Sequence, residues 1–360
     1  MNIKHDTRFF LGANSKDGFY SLYDKFIDLP GGDFLWLIKG GPGCGKSSFM
    51  HRIGAAAHAA GMDVQYIQCP DDPDSLDGLY IPDKKLGYLD ATSPHAMDCS
   101  LPVAGDLYLN LGAFYRLGKL RKAADKLSEM NKRYKEIYHR VYALIAAADS
   151  VDPGNVPGLV TDGDREVARR RALGVVEREF GRLRHSGLGK ESHRFISAIS
   201  CSGCIRLYDT VRALCPRVYA LDNEYGLADI YLRTLAEGAR LRAIDTIVCH
   251  DPLHPERLEA LLLPELSLGF VATKSVFEAF PNPIRNVRLD AIIEKSRVQA
   301  QRKKIRAAAR LRDNLLEEAV GYLNEAKMLH DNINAIYNPH VDFDGLYALA
   351  DEHIKSLLLK

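Results

Sequence analysis

The sequence has no apolar run approaching the ~18 residues a membrane-spanning helix needs, and its opening stretch, MNIKHDTRFF, has no apolar signal core. Neither sign of charge dominates. The chain has 48 Lys and Arg against 47 Asp and Glu, a formal net charge of +1, so global charge names no partner. The 7 cysteines are odd in number and scattered, which argues against a disulfide framework and fits a reducing cytoplasm. A cytoplasmic protein that does not enter the membrane is therefore expected. What is present is globular: 46% of 360 residues are apolar, enough for two or three domains with cores of their own.

One stretch dominates, FLWLIKGGPGCGKSSFM at Phe34 to Met50. Gly40, Gly45, Lys46 and Ser47 satisfy G-x-x-x-x-G-K-[ST], between an apolar strand-like run and a helix-compatible one. Glycines let the backbone turn its N–H groups inward as an anion nest, and the helix N-terminus adds partial positive charge. The nucleotide site expected here is Gly41, Pro42, Gly43, Cys44, Gly45, Lys46, Ser47 and Ser48, with ATP as the ligand. Lys46 would reach the β/γ-phosphates and the Ser47 hydroxyl would bind Mg²⁺.

Alternating strands and helices around this loop predict an α/β fold with a mainly parallel sheet. Arg8 to Ala13 and Phe19 to Tyr23 read as a hairpin, and Val64 to Cys69 as a strand. Pro70 to Ser75 reads as a turn capping a short helix that reaches Tyr80. Leu86 to Leu89 is a further strand that ends on Asp90. A carboxylate at a strand's C-terminal end lies where open α/β sheets bind ligands, so Asp90 is the expected second metal and catalytic acid. Asp71 and Asp72 compete for that role. The next residue is Ala91, so the adjacent glutamate of vigorous motor ATPases is absent and slow turnover is expected. Thr92, His95 and Asp98 follow in a polar segment that could face the γ-phosphate, with His95 as a catalytic candidate.

From Phe114 to Ala148 apolar residues recur at spacings of three and four, and a second helix is expected over 164–184. Together they read as a helical hairpin appended to the first unit. The second helix carries Arg165, Arg169, Arg170, Arg171, Arg178, Arg182 and Arg184. That face could meet a polyanion or protein partner, or form a solvated surface with i,i+4 pairs.

The second half repeats the first. A constant offset of 182 residues takes Pro70 to Pro252, Leu76 to Leu258 and Leu86-Gly87 to Leu268-Gly269. Under this offset Lys46 meets Ala228, Ser47 meets Asp229 and Asp90 meets Ala272. Asp222, Glu224 and Asp229 would repel a triphosphate, so the second unit is expected to keep the fold and lose the site. The divisions expected are an active unit (1–112), a helical hairpin (113–190), a degenerate unit (191–288) and a C-terminal helical segment (289–360) whose first part is basic. Cys201 and Cys204 form a C-x-x-C with no second pair at metal spacing.

GGPGCGKSSFM, CPDDPDSLDGLYIP and LGYLDATSPH together resemble an uncharacterised bacterial family of tandem-duplicated P-loop ATPase-like proteins. The resemblance covers nearly the whole chain and implies ATP binding and two P-loop-NTPase-like units in tandem. In that family the second unit often carries its own glycine-rich GKS/T loop, and this sequence departs there. Three functions follow as expectations: a Mg-ATP-dependent P-loop NTPase with slow hydrolysis, a small-molecule kinase using the same loop, or a nucleotide-gated module binding nucleic acid or protein.

Overall fold

The computed structural model describes residues 6–181, 187–274 and 279–359. The first unit contains β1 (Asp6–Phe9), β2 (Gly12–Ser15), β3 (Gly18–Ser21), β4 (Phe34–Lys39), α1 (Lys46–Ala59), β5 (Val64–Gln68), β6 (Leu76–Ile81), β7 (Leu86–Asp90) and β8 (Asp106–Asn110). A short α2 (Leu117–Leu120) leads into α3 (Ala124–Ser150) and α4 (Asp162–Glu179). The second unit contains β9 (Glu191–Arg194), β10 (Ser197–Ser200), β11 (Gly203–Arg206), α5 (Tyr208–Leu214), β12 (Arg217–Asp222), α6 (Ala228–Arg240), β13 (Thr246–His250), β14 (Leu258–Leu263), β15 (Leu268–Thr273) and β16 (Arg285–Val287). Two helices, α7 (Lys295–Tyr337) and α8 (Phe343–Leu359), follow.

Each unit is built on a six-stranded sheet, and the two sheets have the same order: β1-β5-β6-β7-β4-β8 and β9-β13-β14-β15-β12-β16. The 182-residue offset carries β5 onto β13, β6 onto β14 and α1 onto α6. Even the register shift recurs, at Ile67/Gln68 and Cys249/His250. The sheets are mixed: three of the five strand pairings in each are parallel, and β6 and β14 run antiparallel to both neighbours. Chain length dictates this. A parallel crossover needs a dozen or more residues, and the links 69–75 and 82–85 are too short for one. The helix expected before Tyr80 is therefore strand β6. The hairpin is also shifted: β1 joins the sheet beside β5, and only β2 and β3 pair as a hairpin.

The two sheets share a core. Phe9, Phe10, Leu11, Leu37, Phe195, Ile196, Val218 and Val271 lie in one buried cluster between them. At its centre Phe10 and Phe195 exchange backbone hydrogen bonds, each N–H donating to the other's carbonyl at 2.9 Å.

The helices appended to the first unit do not form the expected hairpin, and the C-terminal segment opens with one long helix, α7. α3 lies along α7, with Arg133 meeting Glu325 and Arg140 meeting Tyr322, so the two run antiparallel. Ile137, Val141, Ile145, Leu316, Ala319 and Leu323 fill that seam. α4 crosses to the second unit and covers α6, burying Ala172, Val175 and Val176. α8 returns to the first unit and covers α1, burying Leu346, Ala350 and Leu357. Each unit thus takes a covering helix from the segment after the other. A long apolar stripe shows that a helix must pack, but leaves its partner open.

α4 starts on a capping box in which the Thr161 hydroxyl accepts from Asp164 N and the Asp164 carboxylate accepts from Thr161 N. Its arginines are mostly paired: Arg165 with Asp162 (2.9 Å), Arg169 with Glu166 (2.9 Å) and Arg178 with Glu179 (3.0 Å). This is the solvated, ion-paired face and not a free basic one. Arg182 and Arg184 lie outside the described residues. Among the described residues no helix is long and apolar enough to cross a membrane.

Candidate functional site

Strand β4 delivers the glycine loop to the C-terminal edge of the first sheet, and α1 begins directly behind it. Gly43 and Gly45 sit at φ 69° and 87°, where a side chain would strain the backbone. Lys46 folds back over the loop, its Nζ donating to Gly40 O (3.0 Å) and Gly41 O (3.2 Å). The same Nζ lies 3.4 Å from Asp90 Oδ2. This proximity comes from sheet register: β7 is the parallel neighbour of β4, and Ile38 stands opposite Asp90. Thr92 fixes the Asp90 carboxylate, donating from its N–H (3.0 Å) and its hydroxyl (2.6 Å). The Ser47 hydroxyl accepts from Leu76 N at 3.0 Å. Cys44 is buried, and burial raises its thiol, which leaves it unreactive.

The loop is roofed from elsewhere in the chain. The Tyr115 hydroxyl donates to Pro42 O (2.6 Å), and the Asn338 amide, turned to donate, reaches Gly43 O (2.8 Å). Phe343 and Leu346 of α8 stand over Gly45. Beyond the loop opens a cavity of 890 Å³ between the first sheet and the long helices. Tyr134, Tyr138 and Tyr142 line it from α3, and Lys327 and His330 line it from α7. The tyrosines recur every four residues, which places them on one helix face; the apolar stripe read from the sequence includes Tyr134 and passes over Tyr138 and Tyr142.

The competing carboxylates have structural partners. Asp71 Oδ1 accepts from Asn14 Nδ2 (2.7 Å), whose amide also donates to Ile199 O. Burial raises the Asp71 carboxyl. Asp72 pairs with Lys327 at 3.4 Å. Asp90 is the carboxylate brought to the loop lysine. Asp98, expected beside Thr92 and His95, is 91% exposed and sits near Lys39 and Tyr108, away from the cavity lining. Lys39 explains the divergence: its Nζ donates to Ala91 O and Met97 O and pins the segment between them across the strand end.

His95 lies inward and not in a solvated loop. Its ring stacks on Tyr23 with centroids 4.6 Å apart, and its Nε2 is 3.8 Å from Asp77 Oδ1. Asp77 was not singled out in the sequence. It lies on β6, buried, and accepts from the Tyr23 hydroxyl at 2.7 Å. Burial raises its carboxyl above the usual range, and the nearby Asp90 adds to the rise. Asp77, Asp90 and His95 bring one ligand atom each within 4.8 Å of one another. Among the described residues they are the His/Cys/Asp/Glu group with such spacing, and Cys201 and Cys204 have no further ligand beside them.

The second unit places different groups at the aligned positions. Asp229, aligned with Ser47, accepts from Leu258 N (2.9 Å) as Ser47 accepts from Leu76 N. The loop amides of Glu224 and Tyr225 donate to the carboxylate of Asp290 (2.9 and 3.3 Å). An internal carboxylate thus takes the nest a phosphate would use, and burial together with Asp222 pushes it up to about 6. Glu224 is neutralised by buried Arg312 at 3.1 Å. Lys274, aligned with Thr92, fills the space with a cation bonded to Asp251 (3.1 Å). The acidic loop expected to repel a nucleotide is held by this network.

Comparison of the chain with protein-family models, with curated proteins and with solved structures returns no match, so the resemblance rests on the residues quoted above.

Proposed function

We propose that the protein is a P-loop nucleoside triphosphatase that binds one Mg-ATP per chain in its first unit and hydrolyses it slowly. The observation that carries this is Lys46, suspended between the loop carbonyls and Asp90 at the end of the neighbouring strand. Phosphates entering the nest would draw the ammonium off those carbonyls onto their own oxygens. Ser47 Oγ and Asp90 supply the hard oxygen ligands that Mg²⁺ prefers. The ion, when bound, neutralises charge on the transferring phosphoryl group. Ala91 provides no adjacent base, which supports slow turnover. The second unit would take no nucleotide because Asp290 already satisfies its loop amides.

Calorimetry with Mg-ATP tests this. Lys46→Ala removes a charge-assisted contact of about 1.5–3 kcal/mol, so affinity should fall roughly 10- to 150-fold. Unchanged affinity would mean the site is wrongly placed. The 890 Å³ cavity favours a second reading, phosphoryl transfer to a small molecule held against Tyr134, Tyr138 and Tyr142. Phosphate release with and without a metabolite library separates the two. Constant release supports hydrolysis, and ADP formed only with an added compound supports transfer.

A further inference from the structure

The buried carboxylate carried by β6, and by its counterpart β14, is neutralised differently in the two units. In the second unit buried Glu259, aligned with Asp77, is met by Arg206 at 3.3 Å and by the Ser197 hydroxyl at 2.5 Å. In the first unit Ser21 occupies the hairpin position of Arg206. Among the described residues the basic group within ion-pair distance of Asp77 is His95. Asp90 shares Lys46 with the loop carbonyls. Two carboxylates, each 8% exposed or less, therefore lie within 4.8 Å of each other, and among the described residues the lysine ammonium reaches only Asp90 of the two. Uncompensated buried charge is expensive, so such pairs are matched by a cation.

His95 gives an independent indication. It is 8% exposed, and its Nδ1 is fully buried without a hydrogen-bond partner. The 3.8 Å from Nε2 to Asp77 is too long for a hydrogen bond. A buried imidazole held without hydrogen bonds, next to two carboxylates, has the donor set of a metal ligand. The supporting shell is also in place. Tyr23 orients Asp77 through its hydroxyl and His95 through its ring. Thr92 orients Asp90 with two hydrogen bonds. Metal ligands are held by partners of this kind.

We propose that Asp77, Asp90 and His95 bind a first-row divalent metal ion, Mn²⁺, Fe²⁺, Co²⁺ or Zn²⁺. Imidazole selects these over Mg²⁺, which prefers oxygen alone. Neighbouring ligands about 2.1 Å from a shared ion lie about 3.0 Å apart in octahedral and about 3.4 Å apart in tetrahedral geometry, so the present spread of up to 4.8 Å has to close by roughly 1.4–1.8 Å on binding. Lys46 competes electrostatically for Asp90. Phosphate that draws Lys46 away should therefore tighten the metal, and the metal should tighten phosphate by the same factor. The inference deepens the nucleotide reading, since Asp90 serves both, yet the metal site is testable without nucleotide.

The test is Mn²⁺ binding to the full chain in nucleotide-free buffer, followed by loss of the free-ion EPR signal, with pulsed EPR on the bound ion. One Mn²⁺ per chain, nitrogen coupling from an imidazole, and at least 10-fold preference over Mg²⁺ are expected. His95→Gln should abolish the nitrogen coupling and weaken Mn²⁺ at least 10-fold, and Asp77→Asn should weaken it similarly. Lys46→Ala should bind Mn²⁺ as tightly as wild type or more so. Absence of binding by wild type, a bound ion without nitrogen coupling, or unaltered binding by His95→Gln would each overturn the proposal. The wild-type spectrum decides the matter even where a variant fails to fold. ATP affinity is measured separately. Nitrogen-coupled Mn²⁺ in a protein that does not bind ATP supports the metal site while removing the nucleotide reading.

Discussion

Arg312 offers the sharpest test of what holds the second unit's loop. Its guanidinium is fully buried and reaches three carboxylates: Asp313 (3.0 Å), Glu224 (3.1 Å) and Asp152 (3.3 Å). Arg312→Met keeps the length of the stem and removes the charge. Taking one partner from a buried ion pair costs about 3–5 kcal/mol because the remaining charge is left in low dielectric. Two observations place this case at the lower end, about 3 kcal/mol by the same reasoning. Asp152 keeps Lys274 at 3.8 Å and the Gly154 amide at 2.9 Å, and Glu224 retains 24% exposure. With an m-value of about 3 kcal/mol per molar, the urea midpoint should fall by roughly 1 M. Far-UV circular dichroism follows the transition. Adding Glu224→Gln should restore part of the loss by removing the stranded charge, giving a favourable coupling in the double-mutant cycle. A midpoint within about 0.3 M of wild type, equivalent to under ~1 kcal/mol, would refute the claim that this arginine neutralises the second unit's loop.

Other outcomes follow from the same geometry. Arg297 forks onto Asp164 at 2.7 and 2.8 Å and holds its carboxyl down at about 2, below its ordinary 3.8. The stabilisation is present above the ordinary carboxylate range and is lost as pH falls from about 4 towards 2. Asp164→Asn should therefore cost about 1–2 kcal/mol at pH 7 and progressively less below pH 4, read by urea unfolding at several pH values. Gly43→Ala places a methyl 2.5 Å from the Asn338 side chain at φ 69°. It should cost about 1–3 kcal/mol of stability and, by moving the loop amides, weaken ATP at least 10-fold. Wild-type stability and affinity in that variant would show that the roof is not rigid.

Local chemistry carried much of this fold in the sequence, and partner choice did not. The glycine loop was legible because its glycines and Lys46 serve a backbone geometry set over eight residues. The repeat was legible because Pro70, Leu76 and Gly87 sit at turn and core positions that recur at one offset. Strand β6 was misread because PDDPDS also suits a helix cap; the short links that force a meander become decisive only once the strands are placed. Asp77 was hidden for the same reason. On a helix it would have been one more surface acid, whereas on β6 it faces inward to Tyr23. The pairing of α3 with α7, and the crossing of α4 and α8, depend on shape complementarity between faces far apart in sequence. His95 was found by its distance from Asp90 along the chain, but its role depends on Tyr23, more than 70 residues earlier.

The crossing of α8 has a consequence for the order in which the protein is made. Cover for α1, and the roof of the glycine loop from Asn338, Phe343 and Leu346, come from residues synthesised long after the loop itself. At about 5–20 residues per second, the first sheet, complete at Asn110, waits roughly 12–50 s before that helix is synthesised. Throughout that interval Phe49, Met50 and Ile53 lack part of their final packing. The exchange of helices thus makes the glycine loop a late product of translation, finished only when the second unit is already in place.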